Sequence, residues 1–137
     1  MVHFIAGGKG EGKTKKLLNL ANENARTTDG HLVFIDDDSR HIYDLDHDIR
    51  FVETGKHQLS NYREFVGFIL GILSQDSDIK HIFVDGLTNI VETVDGESLV
   101  KLGNRLKQIC EYNDVDFTIS VNHSKETLPD EIKALLI

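Results

Sequence analysis

The chain has 137 residues, of which 39% are hydrophobic and 28% charged, enough for one domain (residues 1–137) with a real core. Its formal net charge of -8 disfavours polynucleotide binding, which normally uses a basic face. The lone cysteine, Cys110, excludes an internal disulfide, and no apolar stretch has the length of a bilayer span.

Val2–Ala6 is a short apolar run and reads as a strand. A helix follows from Lys13 to about Thr28, with Leu17, Leu18, Ala21 and Ala25 at helical spacing. Asp29-Gly30 marks a turn, and Leu32–Asp36 is the next strand. Asp37–Asp48 is polar and acidic and reads as a loop with a short helix at most, leading to a short edge strand at Ile49–Val52. Asn61–Ser74 is a helix with Tyr62, Phe65, Val66, Ile69, Leu70 and Leu73 on one face. Ile82–Asp85 is a strand, Thr93–Glu97 a turn, and Ser98–Tyr112 a helix with Leu99, Leu102, Leu106 and Ile109 inward. Phe117–Val121 is the last strand, and Pro129 opens a final helix running to Ile137. The apolar finish, Ala134–Ile137, fits a docked helix, a chain shortened there, or a partner surface.

Strands separated by helices predict an α/β fold. A mostly parallel central sheet should be covered on both faces, as a three-layer sandwich. The first ten residues lack the basic start and long apolar run of a secretory signal, so a cytoplasmic protein is expected.

Gly7-Gly8-Lys9-Gly10-Glu11-Gly12-Lys13-Thr14 fills every fixed position of the Walker A phosphate-binding loop, between a strand and a helix. Glycines let successive N–H groups turn inward on phosphate oxygens, and the following helix adds its N-terminal partial charge. Lys13 is expected to reach the β- and γ-phosphates, and Thr14 to ligate Mg²⁺ through its hydroxyl. Lys13, Lys15 and Lys16 crowd the first helical turn, where cations oppose the dipole unless a polyphosphate is bound. The residues from Gly7 to Lys15 are therefore the predicted ATP contacts. Asp85, closing the apolar strand Ile82-Phe83-Val84, is the acid expected beside Thr14 on the metal.

With these segments in this order, the chain resembles the RecA-type ATPase core, a P-loop NTPase fold. Phe34-Ile35-Asp36-Asp37-Asp38 is similar to the family's strand after the first helix. The resemblance gives Asp38 the place of the glutamate that polarises the attacking water. Ile82–Asp85 is similar to the family's metal-binding strand. Ile119-Ser120-Val121-Asn122-His123 is similar to the strand ending in Asn-Gln, which puts His123 at the γ-phosphate sensor. The family's sheet would place the Phe117–Val121 strand between the phosphate-loop strand and the metal strand. Strand exchange and unwinding are not implied, because no arginine finger is evident and no extended basic loop follows His123.

Asp36, Asp37, Asp38, Asp44, Asp46 and Asp48, with His41 and His47, could hold a second metal. Apart from Asp38 they read better as a solvated loop. Arg40, Arg63 and Arg105 could each stabilise phosphate charge, and Arg40, close to Asp38, is the best placed. Cys110 falls on an apolar helix face and reads as core. Three functions remain open. The first is a Mg-dependent ATPase or ATP-driven switch acting with a protein partner or as a homo-oligomer. The second is a nucleotide-binding adaptor with little turnover, since Gly86 rather than Glu follows Asp85. The third is a small-molecule kinase of the thymidine-kinase type. No guanine-selecting Asn-Lys-x-Asp run is present, which favours ATP.

Overall fold

A computed structural model describes residues 1–137. Strands β1 (Val2–Ala6), β2 (His31–Asp36), β3 (Arg50–Glu53), β4 (Ile79–Val84) and β5 (Asp116–Val121) form a five-stranded sheet in the order β1-β5-β4-β2-β3. Every pairing is parallel, so the sheet is wholly rather than mostly parallel. β5 does lie between β1 and β4.

The helices are α1 (Lys13–Thr27), α2 (Tyr62–Ser74), α3 (Leu87–Ile90), α4 (Gly96–Asn113) and α5 (Asp130–Lys133). Strand alternation sends side chains to two apolar clusters on opposite faces of the sheet. One holds Phe4, Ile35, Ile82, Val84, Phe117 and Ile119 with Phe65 and Ile69 of α2 and Leu99, Leu102 and Leu106 of α4. The other holds Ile5, Phe34 and Phe83 with Leu17, Leu18 and Ala21 of α1. Helices thus cover both faces, an arrangement compatible with a three-layer sandwich. No helix is long and apolar enough to cross a membrane.

Each long helix starts where local chemistry dictates. Asn61 caps α2 by accepting the Glu64 N–H at 3.1 Å, and the Glu64 carboxylate accepts the Ser60 N–H at 2.6 Å. Leu70 of α2 is solvent-facing, not on the buried stripe expected of it. Asp95 caps α4 by accepting the Ser98 N–H at 2.8 Å, so that helix begins at Gly96, and the expected turn through Glu97 ends two residues earlier. This N–H bond also holds the Asp95 carboxyl below its ordinary value. Asp95→Ala is expected to lower the melting temperature at neutral pH by roughly 4 °C through loss of this cap. Thermal melts followed by circular dichroism check it; an unchanged midpoint would show that this cap carries no stability.

The chain's end departs from the expected helix. α5 stops at Lys133, and the following residues run beside the free edge of β1. Phe4 N–H donates to the Leu135 carbonyl at 2.9 Å, and Ile137 N–H to the Phe4 carbonyl at 3.0 Å. The apolar finish therefore satisfies an edge strand's open backbone groups instead of continuing a helix.

Candidate functional site

All five strands point their carboxyl ends to one rim, and the chemistry-bearing residues gather there. Gly7–Gly12 leave β1 as a loop, and Gly12 enters α1 with φ 84°, a left-handed value only glycine adopts without strain. No side chain caps this helix, and the amides of Lys13, Thr14 and Lys15 have no acceptor within the protein. These are the unpaired donors of a helix N-terminus, turned to the rim.

A cavity of about 370 Å³ opens in front of them. Its wall is formed by Lys9, Gly10, Gly12, Lys13, Thr14, Asp36, Asp37, Arg40, His41, Asp85, Gly86, Asn89, Ser120 and Asn122, none of them hydrophobic. Lys13, only 9% exposed, donates from Nζ to the Gly8 carbonyl at 2.7 Å. The Thr14 hydroxyl donates to Asp85 Oδ1 at 3.2 Å, joining residues 71 positions apart. The same oxygen accepts the Ser120 hydroxyl at 3.0 Å, while Ser120 Oγ accepts the Gly86 N–H at 2.7 Å. The structure therefore brings Lys13, Thr14 and Asp85 together, with Lys9, Gly10 and Gly12 on the same wall.

The remaining expected contacts lie elsewhere. The Glu11 carboxylate folds over Gly7 and Gly8, where a Cβ on either glycine would come within 2.8 Å of it. Lys15 faces an adjoining cavity. Asp38 is absent from the main cavity wall. Its carboxylate accepts the Arg40 N–H at 3.0 Å and pairs with the Arg40 guanidinium at 2.9 Å, and these contacts hold it below the ordinary carboxylate range. His123 is also absent from the wall; its Nδ1 is buried without a hydrogen-bond partner, and the neighbouring Asn122 reaches the cavity instead. Arg40 lines the cavity. Arg63 lies over the Tyr62 ring, and Arg105 bonds Gln108 on the surface of α4.

Asp36, rather than Asp38, is the buried member of the acidic run, 4% exposed at the end of β2. Burial, then a hydrogen bond with the Asp37 side chain and the negative charge of Asp85, push its carboxyl up to about 8. The folded state thus keeps a proton that the unfolded chain, titrating near 3.8, gives up. Stability from this group is complete below pH 3.8 and is lost as pH rises toward 8. Asp36→Asn should remove that slope and raise the melting temperature at pH 8 by roughly 4 °C, about 1 kcal/mol for a chain this size. Melts at pH 5 and pH 8 test it; parallel losses for both proteins would refute it.

Ser120, Asn89 and Asn122 were given no role in the sequence reading, and Asp36 was set aside with the solvated acidic loop, yet all four line the cavity. Ser120 had a signal: Asp116, Thr118 and Ser120 alternate with apolar residues along β5 and share one face, on which Thr118 and Ser120 are buried. Compared with known proteins, the chain matches no protein-family model and no curated protein.

Proposed function

We propose that this chain is a P-loop protein of RecA-like type that binds Mg²⁺ and a nucleoside triphosphate, preferentially ATP, in the rim cavity, and that it hydrolyses the nucleotide. The observation that carries the reading is the Thr14–Asp85 pair, held at 3.2 Å beside the unpaired amides that open α1. A hydroxyl and a carboxylate are the hard oxygen donors Mg²⁺ prefers, and neighbouring ligands of an octahedral ion at about 2.1 Å lie about 3 Å apart. The residues present therefore fit the ion. Thr14 and Asp85 would hold it, Ser120 orienting the carboxylate. Bound there, Mg²⁺ would neutralise phosphate charge.

The protein's own groups supply the rest. The free amides of Lys13, Thr14 and Lys15 and the Lys13 ammonium offer donors to phosphate oxygens, and Lys9 and Arg40 add positive charge on the wall. A wall without hydrophobic side chains, carrying Lys9, Lys13 and Arg40, suits a polyphosphate. An adaptor with slow turnover is the second reading. It is favoured by the engagement of Asp38 with Arg40 and by Gly86 directly after Asp85.

Titration calorimetry tests the proposal. ATP with magnesium should give saturable heat, and chelating the metal should weaken binding. No heat with millimolar ATP or GTP in the presence of magnesium would reject it.

A further inference from the structure

The loop after β2 carries a second feature. His41 lies on the wall of the main cavity and also on that of an adjoining one of about 480 Å³, which Thr14 lines as well. Its Nδ1 is 3.1 Å from Asp44 Oδ2. An ionised carboxylate can only accept, so the contact is made with Nδ1–H donating, and in the neutral ring Nε2 is then the acceptor. The pair is held against α1. Asn22 donates to the Asp44 carbonyl at 2.9 Å and accepts the Asp46 N–H at 2.8 Å, while Leu45 is buried in the cluster beneath α1. The loop that carries His41 is thus anchored, three to five residues further on, to the helix that opens with Thr14.

We propose that His41, oriented by Asp44, accepts the proton of the water that attacks the terminal phosphate. The inference rests on the nucleotide reading above and names the base that Asp38, tied to Arg40, does not supply. The water oxygen bonds to the γ-phosphorus. The bond from that phosphorus to the bridging oxygen breaks, and its electron pair leaves on the nucleoside diphosphate. The water proton moves to His41 Nε2, and the imidazolium then releases it to solvent. His41 is the catalytic residue and Asp44 a positioning residue.

Phosphate release under single-turnover conditions, with binding of a non-hydrolysable ATP analogue measured separately by calorimetry, decides the matter. His41→Ala should slow release about a hundredfold or more and leave analogue affinity within about threefold. Added imidazole should restore part of the rate, which a merely structural role would not allow. Asp44→Asn should slow release by roughly tenfold without moving analogue affinity. His47→Ala, an exposed histidine of the same loop, should behave as the parent. Four results would overturn the assignment: undiminished release in His41→Ala, a loss that imidazole does not rescue, a loss explained by failed analogue binding, or a parent that binds the analogue and releases no phosphate from ATP. A parent that binds no analogue would instead remove the nucleotide reading, and this inference with it.

Discussion

Lys13→Ala is expected to weaken MgATP binding by about a hundredfold, close to 2.7 kcal/mol. The side chain is nearly buried, and its only partner is the Gly8 carbonyl at 2.7 Å. An ammonium has three donors, so at least one remains for a phosphate oxygen while the loop is still clamped. Hydrogen bonds to charged groups contribute about 1.5–3 kcal/mol each, and the alanine variant would lose them on both sides of the complex. The fold should survive, because the core beneath α1 is carried by Leu17, Leu18 and Ala21, not by the lysine stem. Calorimetry on the variant, beside its melting curve, separates the two effects. Unchanged affinity in a folded variant would remove Lys13 from the site. Lys13→Arg should not restore the parent affinity, since a planar fork cannot reproduce a compact ammonium inside a tight glycine loop.

What could be read from the sequence, and what could not, follows from the range of the interactions involved. The glycine-rich turn Gly7–Gly12 between β1 and α1 was legible because its residues are contiguous and its geometry is set by local glycines. The strands β1, β2 and the second half of β4 were legible because strands covered on both faces carry apolar runs such as Phe4–Ala6, Leu32–Ile35 and Ile82–Val84. Ile79–His81 at the start of β4 was missed because Lys80 and His81 break the run. The end of the chain was misread because Ala134–Ile137 is apolar at a spacing compatible with either period. The decision lies with Phe4, 133 positions from Ile137, whose open N–H and C=O the segment satisfies. The site beyond the loop depends on register. Ile5 lies opposite Ser120 and Val84 opposite Ile119, which brings the ends of β4 and β5 to the level of the glycine-rich loop. No local pattern encodes that alignment. Asp38 shows the opposite case: a short-range bond to the Arg40 N–H competes with any outreach to the cavity and wins.

Asp85→Asn is the companion substitution, and its expected effect is selective. Both hydroxyl donors, Thr14 and Ser120, converge on Oδ1. An asparagine that places its carbonyl oxygen there keeps both bonds, so Ser120 still receives the Gly86 N–H and the rim keeps its shape. What disappears is one negative charge, 7% exposed, beside the buried Asp36. Two consequences with opposite signs follow. For the ligand, the gain in ATP affinity on adding magnesium should shrink by about tenfold or more, close to 1.4 kcal/mol, while affinity in a chelator changes little or improves. For the free protein, loss of the repulsion that helps to raise Asp36 should bring that carboxyl down from about 8. The variant should then lose less stability than the parent between pH 5 and pH 8, because fewer protons distinguish its folded state from its unfolded one. Binding titrations with and without magnesium, and melts at the two pH values, read the two effects independently. An unaltered magnesium dependence would exclude Asp85 from the proposed metal site, whereas an unaltered pH slope would mean that burial and Asp37, not the Asp85 charge, govern Asp36.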